Sequence, residues 1–126
     1  MPQLTVLVVD DDPVIVNLLK VNFEMEGYRV VTAGDGEEAI EQVRDEHPDV
    51  IVCDVMMPKL DGFGVAAKLK GDRATRSTPL ILLTAKAQMS DLDKGKALGV
   101  DDYVTKPFDP MDLIDRVNAV LARARR

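Results

Sequence analysis

Short apolar runs alternate with longer amphipathic stretches along most of the chain. The apolar runs are Leu4–Val9, Tyr28–Thr32, Val50–Cys53, Leu80–Leu83 and Tyr103–Val104. The first, third and fourth are nearly continuous in Val, Ile and Leu, which suits strands of a parallel sheet covered on both faces. The second, YRVVT, is more mixed and suits a place nearer an edge. Between the runs lie helical patterns. From Pro13 to Met25, Val14, Ile15, Leu18 and Leu19 make one stripe, with Asp12 as cap, Pro13 at the first helical position and Gly27 as the stop. A second helix runs from about Glu37 to Glu46, turns Ala39, Ile40 and Val43 inward, and stops before Pro48. A third follows the Asp61–Gly62 turn signal and ends near Gly71. The last runs from Pro110 to about Ala124, where Leu113, Ile114, Val117, Val120 and Leu121 keep a helical period. Ser90–Leu98 is the weakest helical stretch: it has few large apolar residues and contains Gly95, which costs about 1 kcal/mol against alanine. Five strands alternating with five helices predict an open α/β sandwich with right-handed crossovers.

Composition narrows the class without changing that picture. With 126 residues, 46% apolar and 30% charged, the chain can bury a single core and forms one domain over 1–126. Residues 124–126 read either as a helix end or as the start of a linker. A net charge of −6 argues against direct nucleic-acid binding by this domain. No apolar run approaches the roughly 20 residues of a membrane span, and the first residues lack the basic segment of a secretory signal. A lone cysteine, Cys53, cannot form an internal disulfide and reads as a small core residue beside Asp54. A cytoplasmic location is the expectation.

The polar residues at the strand ends change the picture most. Asp10, Asp11 and Asp12 follow the first apolar run, Asp54 the third, Thr84 closes the fourth, and Lys106 comes just after the fifth. In a parallel α/β sheet these positions share the carboxyl edge, where ligands bind. They predict one pocket of carboxylates with a hydroxyl and an ammonium. Crowded carboxylates repel one another, and a hard divalent cation relieves the repulsion; magnesium suits a site with few protein ligands and several waters. A carboxylate can attack phosphorus to give an aspartyl phosphate. The phosphoryl oxygens then need preplaced partners, and the metal, Lys106 and Thr84 are suitable ones. Asp12 reads as a helix cap rather than a ligand, and His47 as a solvated helix end.

The same residues carry a family resemblance. VVDDDP at 8–13, DVMMPKLDG at 54–62, LTA at 83–85 and YVTKPF at 103–108 stand in order and spacing as in the receiver domains of two-component response regulators, chemotaxis receivers among them. The resemblance covers essentially the whole chain. It implies a doubly wound, flavodoxin-like sheet of strand order 2-1-3-4-5. It further implies Asp54 as phosphoacceptor, and Mg2+ held by Asp10, Asp11, Asp54 and the Met56 backbone carbonyl. Thr84 and Lys106 would stabilise the phosphoryl group, Thr84 and Tyr103 would form a coupled switch, and the peptide before Pro107 would be cis. The implied partners are a histidine kinase or histidine phosphotransfer protein, and an output partner or second receiver. The latter would meet the face made by the weak helix at 90–98, the last strand and the last helix. The chain would be a phosphoacceptor with slow self-dephosphorylation rather than an enzyme.

Two rival readings stand beside this one. A metal-dependent phosphohydrolase would need a second acid or base near the nucleophile, but Met56 occupies the second position after Asp54, and no insertion is long enough for a substrate cap. A receiver cut from a larger DNA-binding regulator fits better. Asp101, Asp102, Arg116 and Arg123 resemble the charged face by which receivers of winged-helix regulators pair, although Leu92 stands where a basic residue is expected.

Overall fold

The strands form where Val, Ile and Leu crowd together, and their burial follows that composition. In the computed structural model, which describes residues 3–85 and 96–124, β1 (Thr5–Val9) and β3 (Val50–Asp54) are buried at every position, and β4 (Leu80–Ala85) at all but its last. These three occupy the middle of a five-stranded parallel sheet of order β2-β1-β3-β4-β5. The more mixed strands, β2 (Arg29–Ala33) and β5 (Asp102–Lys106), take the two edges. The sequence expectation of a mixed edge strand at β2 therefore holds, shifted by one residue.

Alternation along each strand splits the core into two layers. Val6, Val8, Val52, Ile81 and Leu83 face α1 (Pro13–Met25) and α4 (Pro110–Ala124), meeting Leu19, Phe23, Leu113 and Val117. Leu7, Val9, Ile51, Cys53 and Leu82 face α2 (Gly36–Glu46) and α3 (Gly62–Lys70), meeting Ala39, Val43, Val65 and Leu69. Burying about 1.5–3 kcal/mol of transfer free energy per large apolar side chain on both faces makes the sheet the rigid frame of the molecule.

The helix ends follow local chemistry. Asp12 accepts from the Val14 N–H (2.9 Å), Asp35 from Glu38 (2.8 Å) and Asp61 from Gly64 (2.8 Å), each satisfying a donor the helix leaves free. Residues 96–98 are helical, in keeping with the end of the weak stretch; Ser90 to Gly95, Leu92 among them, lie outside the described residues. Among the described residues no helix is long and apolar enough to cross a membrane.

The stripe of Val14, Ile15, Leu18 and Leu19 does not pack as a unit: α1 buries Leu19 and Phe23, half-buries Ile15, and leaves Val14 72% exposed and Leu18 41%. Two apolar stripes interleave on this helix. The one carrying Phe23 goes inward because its ring packs edge-on against Tyr28, centroids 5.6 Å apart, and buries the larger surface.

Candidate metal and phosphoacceptor site

The carboxyl edge of the sheet gathers residues 96 positions apart in the chain. β1 runs out at Val9, so Asp10 stands immediately beyond an interior strand, its N–H donating to the Ala33 carbonyl (3.2 Å). Asp54 is the last residue of β3 and Lys106 the last of β5; Thr84 lies in β4. Asp10 is 2% exposed and Asp54 5%, while Asp11 lies open to solvent. Each of Asp10, Asp11 and Asp54 offers an oxygen, and these oxygens lie within 4.8 Å of one another. Three hard oxygen donors converging this closely fit a divalent cation such as magnesium.

Lys106 closes the cluster from the far side. Its Nζ lies 3.1 Å from Asp10 Oδ2 and 3.2 Å from Asp54 Oδ1, so one ammonium bridges two nearly buried carboxylates. Asp10 also accepts from the Asp12 N–H (2.9 Å), which leaves Asp12 itself as the α1 cap. Desolvation pushes the Asp54 carboxyl above its ordinary value, the Asp10 charge adds to this, and Lys106 and the Met56 N–H, which hydrogen-bonds Asp54, oppose it. Burial alone would lower the Lys106 ammonium, but its hydrogen bonds and charge interactions with Asp10 and Asp54 prevail and raise it. One cation against two buried acids leaves the pocket under-neutralised, as a cation site requires.

Thr84 is buried and its hydroxyl donates to the Ala85 carbonyl (3.2 Å). The Lys106–Pro107 peptide is cis. Tyr103, on β5, is half-buried against the α2–α3 side of the core. Met56 is 63% exposed at the rim of a cleft shared with Asp11, Met57, Pro58 and Asp61. A second cleft opens on the opposite side of Asp11, between α1 and the β2–α2 turn. Cys53 is fully buried, and desolvation, with the Asp54 charge next, drives its thiol far up, so it stays protonated and inert as a small core residue. His47 is exposed at the end of α2.

Reasoning from sequence missed two features beside the site. One is the outward stripe of α1, whose signal was the presence of two apolar periods in one helix. The other is Leu60, in the loop that follows Asp54, which packs against the α2–α3 layer of the core.

Comparison with known proteins agrees with this geometry. The family described as response regulator receiver domain matches residues 6–118. The alkaline phosphatase synthesis transcriptional regulatory protein PhoP of Bacillus subtilis is 49% identical over 119 residues, 94% of this chain and 49% of its own length. The chain spans about half the length of the curated relatives it matches. Among solved structures, the Francisella response regulator 1452 receiver domain superposes with a TM-score of 0.87 at 40% identity, covering 96% of this chain and 98% of that one. The receiver domain of sensor histidine kinase PA1611 from Pseudomonas aeruginosa, which has magnesium coordinated in its active-site cleft, superposes with 0.86 at 28%, covering 96% and 99%. A family match over nearly the whole fold, joined to a pocket built at the matching strand ends, means that this chain belongs to the response-regulator receiver family, whose members are signalling domains rather than classical enzymes.

Proposed function

We propose that Asp54 accepts the phosphoryl group, with Mg2+ held by Asp10, Asp11, Asp54 and the Met56 backbone carbonyl, and that a phosphohistidine on a kinase or phosphotransfer protein is the donor. The observation that carries this is the Lys106 ammonium bridging Asp10 and Asp54 inside the three-carboxylate cluster. In the transfer an Asp54 carboxylate oxygen bonds to phosphorus, the phosphorus–nitrogen bond breaks, and its electron pair stays on the departing imidazole. Lys106 stands where it would pair with the transferred phosphoryl oxygens, and the Thr84 hydroxyl would turn to one of them. Magnesium, when bound, offsets charge on the carboxylates and on those oxygens. The magnesium seen in the PA1611 receiver supports the choice of metal.

The donor docks over α1, whose outward stripe Val14, Leu18, Val21 and Met25 is exposed and begins at the helix end next to the site. Leu18 also lines a cleft with Ile15, Lys106, Pro107 and Phe108. The output partner or a second receiver meets the face of β5 and α4, where Arg116 pairs with Asp102 and Asp112, both at 3.2 Å. Asp101, of the same charged set, instead accepts from the Leu80 N–H (2.8 Å) and faces Lys70 at 3.5 Å. That the curated relatives are about twice as long, with transcriptional regulators among them, supports the reading of this domain as the switch of a longer DNA-binding regulator.

Acetyl phosphate with magnesium is expected to add one phosphoryl mass to the wild type and none to Asp54→Asn, because an amide is a poor nucleophile. Undiminished labelling of the variant by intact-mass spectrometry would move the acceptor elsewhere.

A further inference from the structure

The connection between β3 and α3 crosses the start of α2. Backbone bonds fix its two ends: Val55 N–H donates to Leu83 O and Gly62 N–H to Val55 O, both 2.9 Å. Between them the loop is held by Leu60. A Cβ placed on Gly36, the first residue of α2, would fall 2.2 Å from the Leu60 carbonyl oxygen and 2.7 Å from its Cβ. A Cβ on Gly64, in α3, would fall 2.4 Å from Leu60 Cδ1. All of these are closer than real Cβ contacts come, so two glycines on two helices form a notch that Leu60 fills. Lys59, at φ 67°, adds an ion pair to the α2 cap Asp35 at 3.5 Å. Gly34, two residues before Gly36, has no such neighbour; the nearest atom to its added Cβ is Glu38 Oε2 at 3.8 Å. Gly62 is crowded too, by the Asp54 carbonyl oxygen at 2.6 Å, but Gly36 and Gly64 are the glycines whose added Cβ meets Leu60.

We infer that Leu60, seated between Gly36 and Gly64, is a positioning residue for magnesium: it sets the height of the β3–α3 loop beside Asp54, and with it the place of the Met56 carbonyl. This rests on the reading of the acidic cluster as a magnesium site. Asp54 stands on a central strand and Asp10 directly beyond one, held by the sheet, but the Met56 carbonyl is carried by a loop. The loop borders the site itself, since Met56 lines a cleft together with Asp11. Magnesium demands near-octahedral geometry at about 2.0–2.1 Å, so a small shift of one ligand lowers affinity. A Cβ at Gly36 meets backbone, which cannot rotate away, so the loop itself must move.

Titration calorimetry with Mg2+ alone, well below the melting temperature, tests this on the wild type and four variants. Gly36→Ala and Leu60→Ala are expected to bind magnesium on the order of tenfold more weakly, the size typical when a group supporting a ligand is lost. Leu60→Met refills the notch and recovers most of the affinity, and Gly34→Ala stays at the wild-type value. Melting in EDTA separates lost stability from lost affinity, and Leu60→Ala, which introduces no clash, carries the test if Gly36→Ala does not fold. Wild-type affinity in Leu60→Ala, no recovery in Leu60→Met, or an equal loss in Gly34→Ala overturns the proposal while leaving the metal site standing. A wild type that takes up no magnesium overturns both.

Discussion

Burial gives Asp54 a shielded place for a phosphoryl group and a poor place for a charge. Its carboxyl is raised above the ordinary value of 3.8, by desolvation first and Asp10 second. The native state without metal therefore takes up a proton at a pH where the unfolded chain does not. Stability is expected to increase as pH falls through the folded pKa toward 3.8, until other carboxylates oppose it. Lys106 acts in the opposite range: its raised folded pKa gives a contribution that is complete below 10.5 and lost as pH rises through the folded value. Asp54→Asn removes the strained charge and leaves Lys106 its partner Asp10, so it should melt a few degrees higher in EDTA at neutral pH, on the order of 1 kcal/mol. A lower melting temperature for the variant would show that the Asp54–Lys106 pair outweighs the strain. Met56 raises a separate question of lifetime. An apolar, exposed side chain at the rim neither orients water nor takes its proton, so the acyl phosphate should decay slowly. Met56→Asn is expected to speed the decay by roughly tenfold, about 1.4 kcal/mol of barrier. An unchanged or longer lifetime by the same mass measurement would remove Met56 from that role.

Among the described elements, α1 exposes the longest apolar stripe. Val14, Leu18, Val21 and Met25 recur at helical spacing and face solvent, while Leu19 and Phe23 fill the core. Polar residues would serve a merely solvated face better. Leu18 shares a cleft with Lys106, Pro107 and Phe108, so the near part of the stripe suits contact with a donor that must bring a phosphohistidine to Asp54. Leu18→Glu should then slow transfer from the cognate phosphoprotein by on the order of tenfold or more, the effect of losing a central apolar anchor. Labelling by acetyl phosphate, which needs no docking, should stay at the wild-type rate. Equal rates for both donors in Leu18→Glu would place the docking surface elsewhere.

For the whole molecule, the sheet links the proposed acceptor to the distant face of β5 and α4. Thr84 pairs in register with Thr105, and Leu82 with Tyr103, so the strand under the site is hydrogen-bonded to the strand that carries the proposed switch tyrosine. Arg116 completes the line, donating to the Tyr103 carbonyl at 3.4 Å as well as to Asp102. A phosphoryl group that drew the Thr84 hydroxyl away from Ala85 would disturb this network and shift an existing equilibrium at the surface. Beryllofluoride should move the amide signals of Tyr103 and Arg116 in the wild type, and move them by less than half as much in Thr84→Ala. Equal shifts in both proteins would refute the coupling through Thr84.

The alternation of strands and helices is legible in the residues alone, because Val, Ile and Leu runs at β1, β3 and β4 fit best between two layers of helix. Legible too are the helix starts at Asp12 and Asp61, where a short acceptor precedes free N–H groups. The strand pattern brought Asp10, Asp54, Thr84 and Lys106 to one edge, since the carboxyl ends of parallel strands lie together whatever the distance along the chain. Neighbour order came from the family resemblance, not from periodicity, because several orders satisfy the same pattern. Which of the two apolar stripes of α1 turns inward was settled by packing, through the fit of Phe23 against Tyr28. Packing alone set the bridge from Lys106 to two carboxylates, which depends on distances between residues 96 positions apart. The seat of Leu60 was likewise invisible beforehand: a glycine reads as a turn signal in sequence, and what fills the missing side chain's space is known only once the helices have packed.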